Sequence, residues 1–210
     1  MIFKTLVVGA LQANCYLVGC EESQEAVVID PGGSEEAVLR MIREAEVRVT
    51  AIVNTHGHCD HIGANGRLRE VTGAQIAIHE SDAGLLTHAE LNGSAFFYLT
   101  PMISPPPDRL LHDGDRIQIG RWTMTVLHTP GHTPGGISLV LDDCVFTGDT
   151  LFRASIGRCD LPGGSYEVLM HSVRERLMTL DDGMRIYPGH GEASTIGWER
   201  RNNPWLIGDW

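Results

Sequence analysis

Positive charge is scarce in this chain: 16 Lys and Arg stand against 27 Asp and Glu, a net charge of −11 over 210 residues. A surface of that sign repels phosphate backbones and anionic lipid, so the reading is no nucleic acid, no membrane and a small-molecule partner. Long hydrophobic runs are missing too, since no stretch reaches the ~20 apolar residues of a transmembrane helix. The five cysteines, Cys15, Cys20, Cys59, Cys144 and Cys159, are odd in number and contain no Cys-x-x-Cys pair. That argues against a disulfide framework or a zinc ribbon and for a reducing, cytoplasmic setting. Leu17-Val18-Gly19-Cys20 has the form of a bacterial lipoprotein cleavage site, but Gln12, Ala13 and Asn14 interrupt the apolar run that a signal peptide keeps. No linker, repeat or low-complexity tract divides the chain, and 42% hydrophobic residues supply one core, so a single domain over residues 1–210 is expected.

What is present alternates between strands and helices. Residues 2–8, 15–19 and 26–29 are β-prone runs separated by turn residues, which predicts antiparallel strands. Ser34, with Glu35 and Glu36 behind it, opens a predicted helix whose Val38, Leu39, Ile42 and Ala45 keep helical spacing. A strand over 50–54, a helix over 62–71 and a strand over 75–78 follow. Residues 80–111 hold Leu85, Leu86, Phe96, Phe97 and Tyr98 and then Pro105-Pro106-Pro107, which reads as a helical excursion or lid, or equally as a long surface connection. Residues 116–119, 123–127, 137–141 and 144–146 predict a second antiparallel set. A helix over 166–180 and a last strand over 185–187 complete the pattern.

The densest signal is His56-Gly57-His58-Cys59-Asp60-His61, four metal-type ligands directly after a predicted strand. Composition alone would produce His-x-His-x-Asp-His on the order of once in a thousand such chains. Three further turns place a His or Asp immediately after Gly at a strand end: Gly131-His132, Gly148-Asp149 and Gly189-His190. Singly, each is an ordinary loop. Together with the first cluster they supply five imidazoles and two carboxylates, enough for two divalent metal ions sharing one carboxylate. Neutral imidazole with carboxylate is a borderline donor set that suits Zn²⁺, Fe or Mn²⁺ rather than Ca²⁺ or Cu(I).

On these motifs, with Asn14-Cys15-Tyr16-Leu17 and Asp30-Pro31-Gly32, the chain resembles metallo-β-lactamase-fold hydrolases nearly end to end. The resemblance implies an α/β fold, an αββα four-layer sandwich of two mixed β-sheets flanked by helices. It implies that His56, His58 and His132 hold one metal ion and Asp60, His61 and His190 a second, with Asp149 bridging. Asp30 would orient ligands from behind. Retention of His61, with Asp at position 149, makes the chain most similar to the glyoxalase II-like, hydroxyacylglutathione hydrolase-like branch. Residues 155–164 and 195–206 resemble its short single-domain members. Full glyoxalase II carries a further helical domain, and a Lys and Tyr that grip glutathione. Here the corresponding neighbourhood holds Arg158 and Asp160, and Arg158 and Cys159 are the expected pocket residues.

Two cations in such a site lie ~3.5–4 Å apart and lower the pKa of a bridging water enough to hold hydroxide at neutral pH. The implied reaction is attack of that hydroxide, oriented by Asp60, on a thioester, whose thiolate leaving group has a pKa of ~8.5 and needs no general acid. Zinc is the first expectation for the metal, with iron or manganese as alternatives. Rival activities on the same fold are a lactonase or lactamase, and a persulfide dioxygenase with one iron held by His58, His132 and Asp149. A non-catalytic metal module needs only four ligands and would not account for all seven. Cys59 reads as a wall residue, and His79, His88, His112, His128 and His171 as structural or solvated. Trp198, Trp205 and Trp210 read as tail packing.

Overall fold

The computed structural model describes residues 1–97 and 101–208; Tyr98 and Trp210 lie outside the described residues. The first half of the chain forms a six-stranded sheet in chain order: β1 (Ile2–Val8), β2 (Ala13–Gly19), β3 (Glu25–Ile29), β4 (Arg48–Val53), β5 (Gln75–His79) and β6 (Arg109–Leu111). β1 to β3 pair antiparallel, and β3 to β6 run parallel. The second half contributes β7 (Arg116–Ile119), β8 (Trp122–His128), β9 (Ile137–Leu141) and β10 (Cys144–Gly148), then a hairpin of β11 (Leu151–Phe152) and β12 (Ser155–Ile156). With β13 (Arg185–Pro188) and β14 (Ser194–Thr195), strands β7 to β10 form a second six-stranded sheet, ordered β14-β13-β10-β9-β8-β7, and the hairpin stands apart as a two-stranded sheet. It is antiparallel except where β10 and β13 run side by side.

Three cores fill the spaces between layers. Helices α1 (Glu35–Glu44), α2 (Cys59–Ile62) and α3 (Asn65–Thr72) lie on the outer face of the first sheet, where Val38, Leu39, Ile42 and Leu68 pack on Leu17, Val28, Ile52 and Ile76. Between the sheets, Tyr16, Val18, Val27, Ile29 and Val53 meet Met124, Val126, Leu139 and Phe146. Helix α6 (Tyr166–Ser172), the π-helical turn Val173–Leu177 and α7 (Ile196–Asn202) cover the second sheet through Leu169, Val173, Leu177 and Ile196. The result is the αββα sandwich. Strand side chains alternate between faces, so Cys15 and Leu17 enter the outer core and Tyr16 and Val18 the central one. Both faces are buried, which is why such strands read as continuous apolar runs.

Several local expectations change. The helix expected over 62–71 is two, broken after Ile62, with α3 starting at Asn65. The helix expected over 166–180 ends in the π-helical turn. Ser34 makes no side-chain cap; it is left-handed at φ 53°, and its hydroxyl accepts from the Gly9 N–H at 3.2 Å. The excursion expected over 80–111 contains a 3₁₀ turn (Glu80–Asp82), α4 (Ala83–Thr87) and α5 (Ser94–Phe97), and its last residues are strand β6, paired with β5. The tail, α7 and α8 (Pro204–Ile207), is tied down by Asn203, whose amide donates to the Ser155 carbonyl at 3.0 Å and to Glu199 at 2.8 Å.

Candidate metal centre

The parallel strands β3, β4 and β5 end on the side of the sandwich where β8, β10 and β13 also end, and the turns after these strands carry the polar residues. Asp30 follows β3, His56 and His58 follow β4, and Asp60 and His61 lie in α2. His132 follows β8, Asp149 follows β10 and His190 follows β13. The structure brings all seven expected ligands together. His56, His58 and His132 offer atoms within 4.8 Å of one another, as do Asp60, His61 and His190, and also His56, His61 and Asp149. His58 Nδ1 and His132 Nε2 are 2.8 Å apart, and His61 Nε2 and His190 Nε2 are 3.3 Å apart. Asp149 Oδ2 lies 3.6 Å from both His132 Nε2 and His190 Nε2, which puts this carboxylate between the two trios. Gly189 makes that possible, because a Cβ there would collide with Asp149 Oδ1 and come within 2.8 Å of the His61 ring.

Hydrogen bonds behind the ligands settle which ring nitrogens face inward. The Asp30 carboxylate can only accept, so the Thr55 hydroxyl donates to it at 2.6 Å and must itself accept from His56 Nδ1–H at 3.1 Å. The His56 Nε2 lone pair is left free. Asp30 also accepts from the Thr55 N–H at 2.7 Å and from His61 Nδ1–H at 3.1 Å, presenting His61 Nε2 to the centre. His132 Nδ1–H donates to the Arg158 carbonyl at 2.7 Å, with the same consequence for its Nε2.

Charge differs across the centre. Burial, reinforced by the charge of His61 and of His132, holds His56 neutral, far below the usual histidine range. Burial and His132 push His58 down to about 3. On the other side, burial opposes the charge on His61, but Asp149, Asp60 and Asp30 overcome it and push the imidazole up to about 10. Burial likewise works against ionised Asp60, and His61 with the His190 hydrogen bond outweighs it, holding the carboxyl well below its usual range. His56 and His58 therefore stand as neutral imidazoles, and the carboxylates around His61 form a nest that attracts positive charge.

These residues fit divalent cations. His56 Nε2 and Asp149 Oδ1 are buried without any hydrogen-bond partner, and each such orphan costs about 1–3 kcal/mol. Converging imidazole nitrogens and carboxylate oxygens, with rings fixed from behind, are the donor set and support that Zn²⁺ or Fe requires.

A cavity of about 410 Å³ opens on the centre, walled by His58, Asp60, His132, Asp149 and His190 on one side and by Leu11, Phe152, Ile156 and Leu161 on others. Arg158 lines it as expected, with its guanidinium held by Asp160 through bonds of 2.8 and 2.8 Å. Cys159 does not line it. Its side chain packs against the core beneath α6. Cys59 does line the cavity, where burial with the Asp60 charge pushes its thiol up to about 12, and it belongs to none of the three groups of converging ligand atoms.

Two positioning residues escaped the sequence reading. Asp82, fully buried, accepts from the Gly57 N–H at 3.0 Å, the Thr133 hydroxyl at 2.7 Å and the Gly135 N–H at 2.6 Å. It clamps the loop of His56 and His58 to the loop of His132. Asn14, seen in the sequence only as part of a family motif, donates to the Pro188 and Gly191 carbonyls, each at 3.0 Å, and Tyr16 OH donates to Pro188 at 2.6 Å. These bonds fasten the His190 loop to β2 across the gap between sheets.

The Metallo-beta-lactamase superfamily model matches residues 8–190. A hydroxyacylglutathione hydrolase of Haemophilus influenzae, GloC, is 36% identical over 209 residues, covering 98% of this chain and 98% of that protein. Among solved structures, BLEG-1, a B3 metallo-beta-lactamase, has a TM-score of 0.94 at 36% identity, over 99% of this chain and 100% of its own. TTHA1623, solved in a di-iron-bound form, has a TM-score of 0.87 at 38% identity, over 97% of this chain and 100% of its own. The chain belongs to the metallo-beta-lactamase superfamily of metallo-hydrolases.

Proposed function

We propose that the protein is a dinuclear-metal thioester hydrolase acting on hydroxyacylglutathione-like substrates in the cytoplasm. The observation that carries this reading is the pair of three-residue groups flanking Asp149, with two orphaned buried atoms between them. His56, His58 and His132 would hold one ion, Asp60, His61 and His190 the other, and Asp149 would touch both. Two divalent ions there supply an activated water at neutral pH and polarise a substrate carbonyl.

The chain's own residues do the rest. Asp30, Thr55 and the Arg158 carbonyl fix the rings, and Asp60, kept ionised by His61 and His190, orients the nucleophile. Among the described residues, no lysine or tyrosine lines the cavity to protonate a leaving group. A thiolate departs without one, whereas an amine does not. The 36% identity to a hydroxyacylglutathione hydrolase supports the same choice. The similarity to a B3 metallo-beta-lactamase favours β-lactam hydrolysis as the second reading.

The test is to purify the protein with its native metal, count ions per chain, and assay hydroxyacylglutathione, other thioesters, lactones and β-lactams side by side. We expect two ions and the highest kcat/KM on a thioester. A preference for β-lactams selects the second reading, and thiol-dependent oxygen uptake with a single iron overturns both.

A further inference from the structure

Beside the main cavity lies a second one of about 240 Å³ that shares His58 and Leu161 with it as walls. Its other walls are Leu91, Phe96 and Pro162, with Gly93 and Glu90. Phe96 is 75% and Leu91 51% exposed, so two large apolar side chains stand at the rim of a cleft that ends on a residue of the metal centre. Apolar surface gathered at one concave place that shares a wall with the metal centre is what a substrate's carbon skeleton would cover. Charge decides which skeleton. Among the described residues, Glu90 is the one acidic side chain lining the second cavity, and Arg158, the one Lys or Arg lining either, is already bound by Asp160 through two of its guanidinium nitrogens. A carboxylate arm would meet repulsion here and no free cation.

We propose that this second cavity receives an uncharged, apolar acyl chain or ring of the substrate, with the scissile carbonyl at the His58 end and the thiol carrier in the larger cavity. The proposal rests on the thioester hydrolase reading for its chemistry, but the cleft and its lining do not depend on it. It narrows the substrate class to thioesters of apolar acyl or hydroxyacyl groups, and makes Phe96, Leu91 and Leu161 the residues that set acyl preference.

The experiment uses the metal-loaded full chain and straight-chain acyl thioesters of one small neutral thiol, from acetyl to octanoyl. Burial of each added methylene raises kcat/KM about fourfold until the cleft is filled. Phe96→Ser and Leu91→Ser, at exposed positions where folding is not at risk, lower the octanoyl-to-acetyl ratio at least tenfold, and Glu90→Lys raises turnover of a glutaryl thioester. In parallel, calorimetry measures binding of acetate through octanoate, whose heat-capacity change grows more negative with chain length when the cleft is used. Thioester turnover with a flat or falling chain-length profile overturns the acyl cleft and leaves the hydrolase reading standing. Octanoate binding tighter than acetate and weakened by Phe96→Ser, with no thioester turned over, supports the cleft and overturns the hydrolase reading instead.

Discussion

His56, His58, Asp60 and His61 come from one turn and one short helix after β4, whereas His132, Asp149 and His190 arrive singly from the ends of β8, β10 and β13. The first half of the centre is local. Its relative geometry is set by a few backbone dihedrals and by Asp30 and Thr55 immediately behind it. The second half exists only because a second sheet is docked against the first and held there by Asp82, Asn14 and Tyr16. The electrostatic division runs across this structural one. His58 from the first sheet and His132 from the second meet beside the neutral His56, and Asp60 and His190 meet beside the charged His61.

That contrast can be broken at its joints. Removing a ligand that the second half brings to the first has the largest effect: Asp149→Asn or His132→Ala should lower thioester hydrolysis roughly 10³-fold, the equivalent of several kcal/mol of transition-state charge stabilisation. Metal content measured by mass spectrometry should fall with it, and unchanged metal and rate would refute the assignment. Next is the clamp. Asp82→Ala strands two backbone N–H groups and a hydroxyl, so stability should fall by about 2–4 kcal/mol in chemical denaturation. Metal affinity in chelator competition should fall about 10- to 100-fold, as for other residues that orient ligands.

Asn14→Ala sharpens the comparison, since it unties only the His190 loop. The ion beside Asp60 should dissociate first, leaving about one per chain at limiting chelator, and stability should drop by about 1–2 kcal/mol. Loss of both ions together would show that the halves are not separable. The smallest effect lies in another histidine pair, His79 stacked on His128 with ring centroids 4.0 Å apart. Burial first, then the neighbouring His128 and His112, hold the His79 pKa below 6.5 against the pull of Glu80 and Asp113. A depressed histidine pKa means stability is fully present above pH 6.5 and is lost as pH falls through the folded value. Melting temperature should therefore decline from pH 7.5 to 5.5 less steeply in His79→Gln than in the parent, with metal content unchanged.

Legibility followed the range of the interactions. The cluster from His56 to His61 could be read directly because its ligands are neighbours in the chain, and the Gly-His and Gly-Asp turns could be read because each closes an apolar run. Asp82 carries no pattern: Glu80-Ser81-Asp82 is an ordinary polar turn until the loops at residues 57 and 133–135 converge on it. β6 is three residues long and its pairing partner is some thirty positions back, so its periodicity was too short to see. Cys159 reads from the sequence as a pocket-lining or a merely buried thiol, and only its packing against the third core decides between the two.

Sequence by itself determined the donor chemistry, the longer strands and helices, and the family, because these depend on residue types and on spacings of a few positions. Tertiary structure alone decided that seven donors share one point, which of their nitrogens face it, and that an apolar cleft adjoins it. Those properties depend on how two sheets dock and on side chains that are distant in the chain, and no local pattern encodes either.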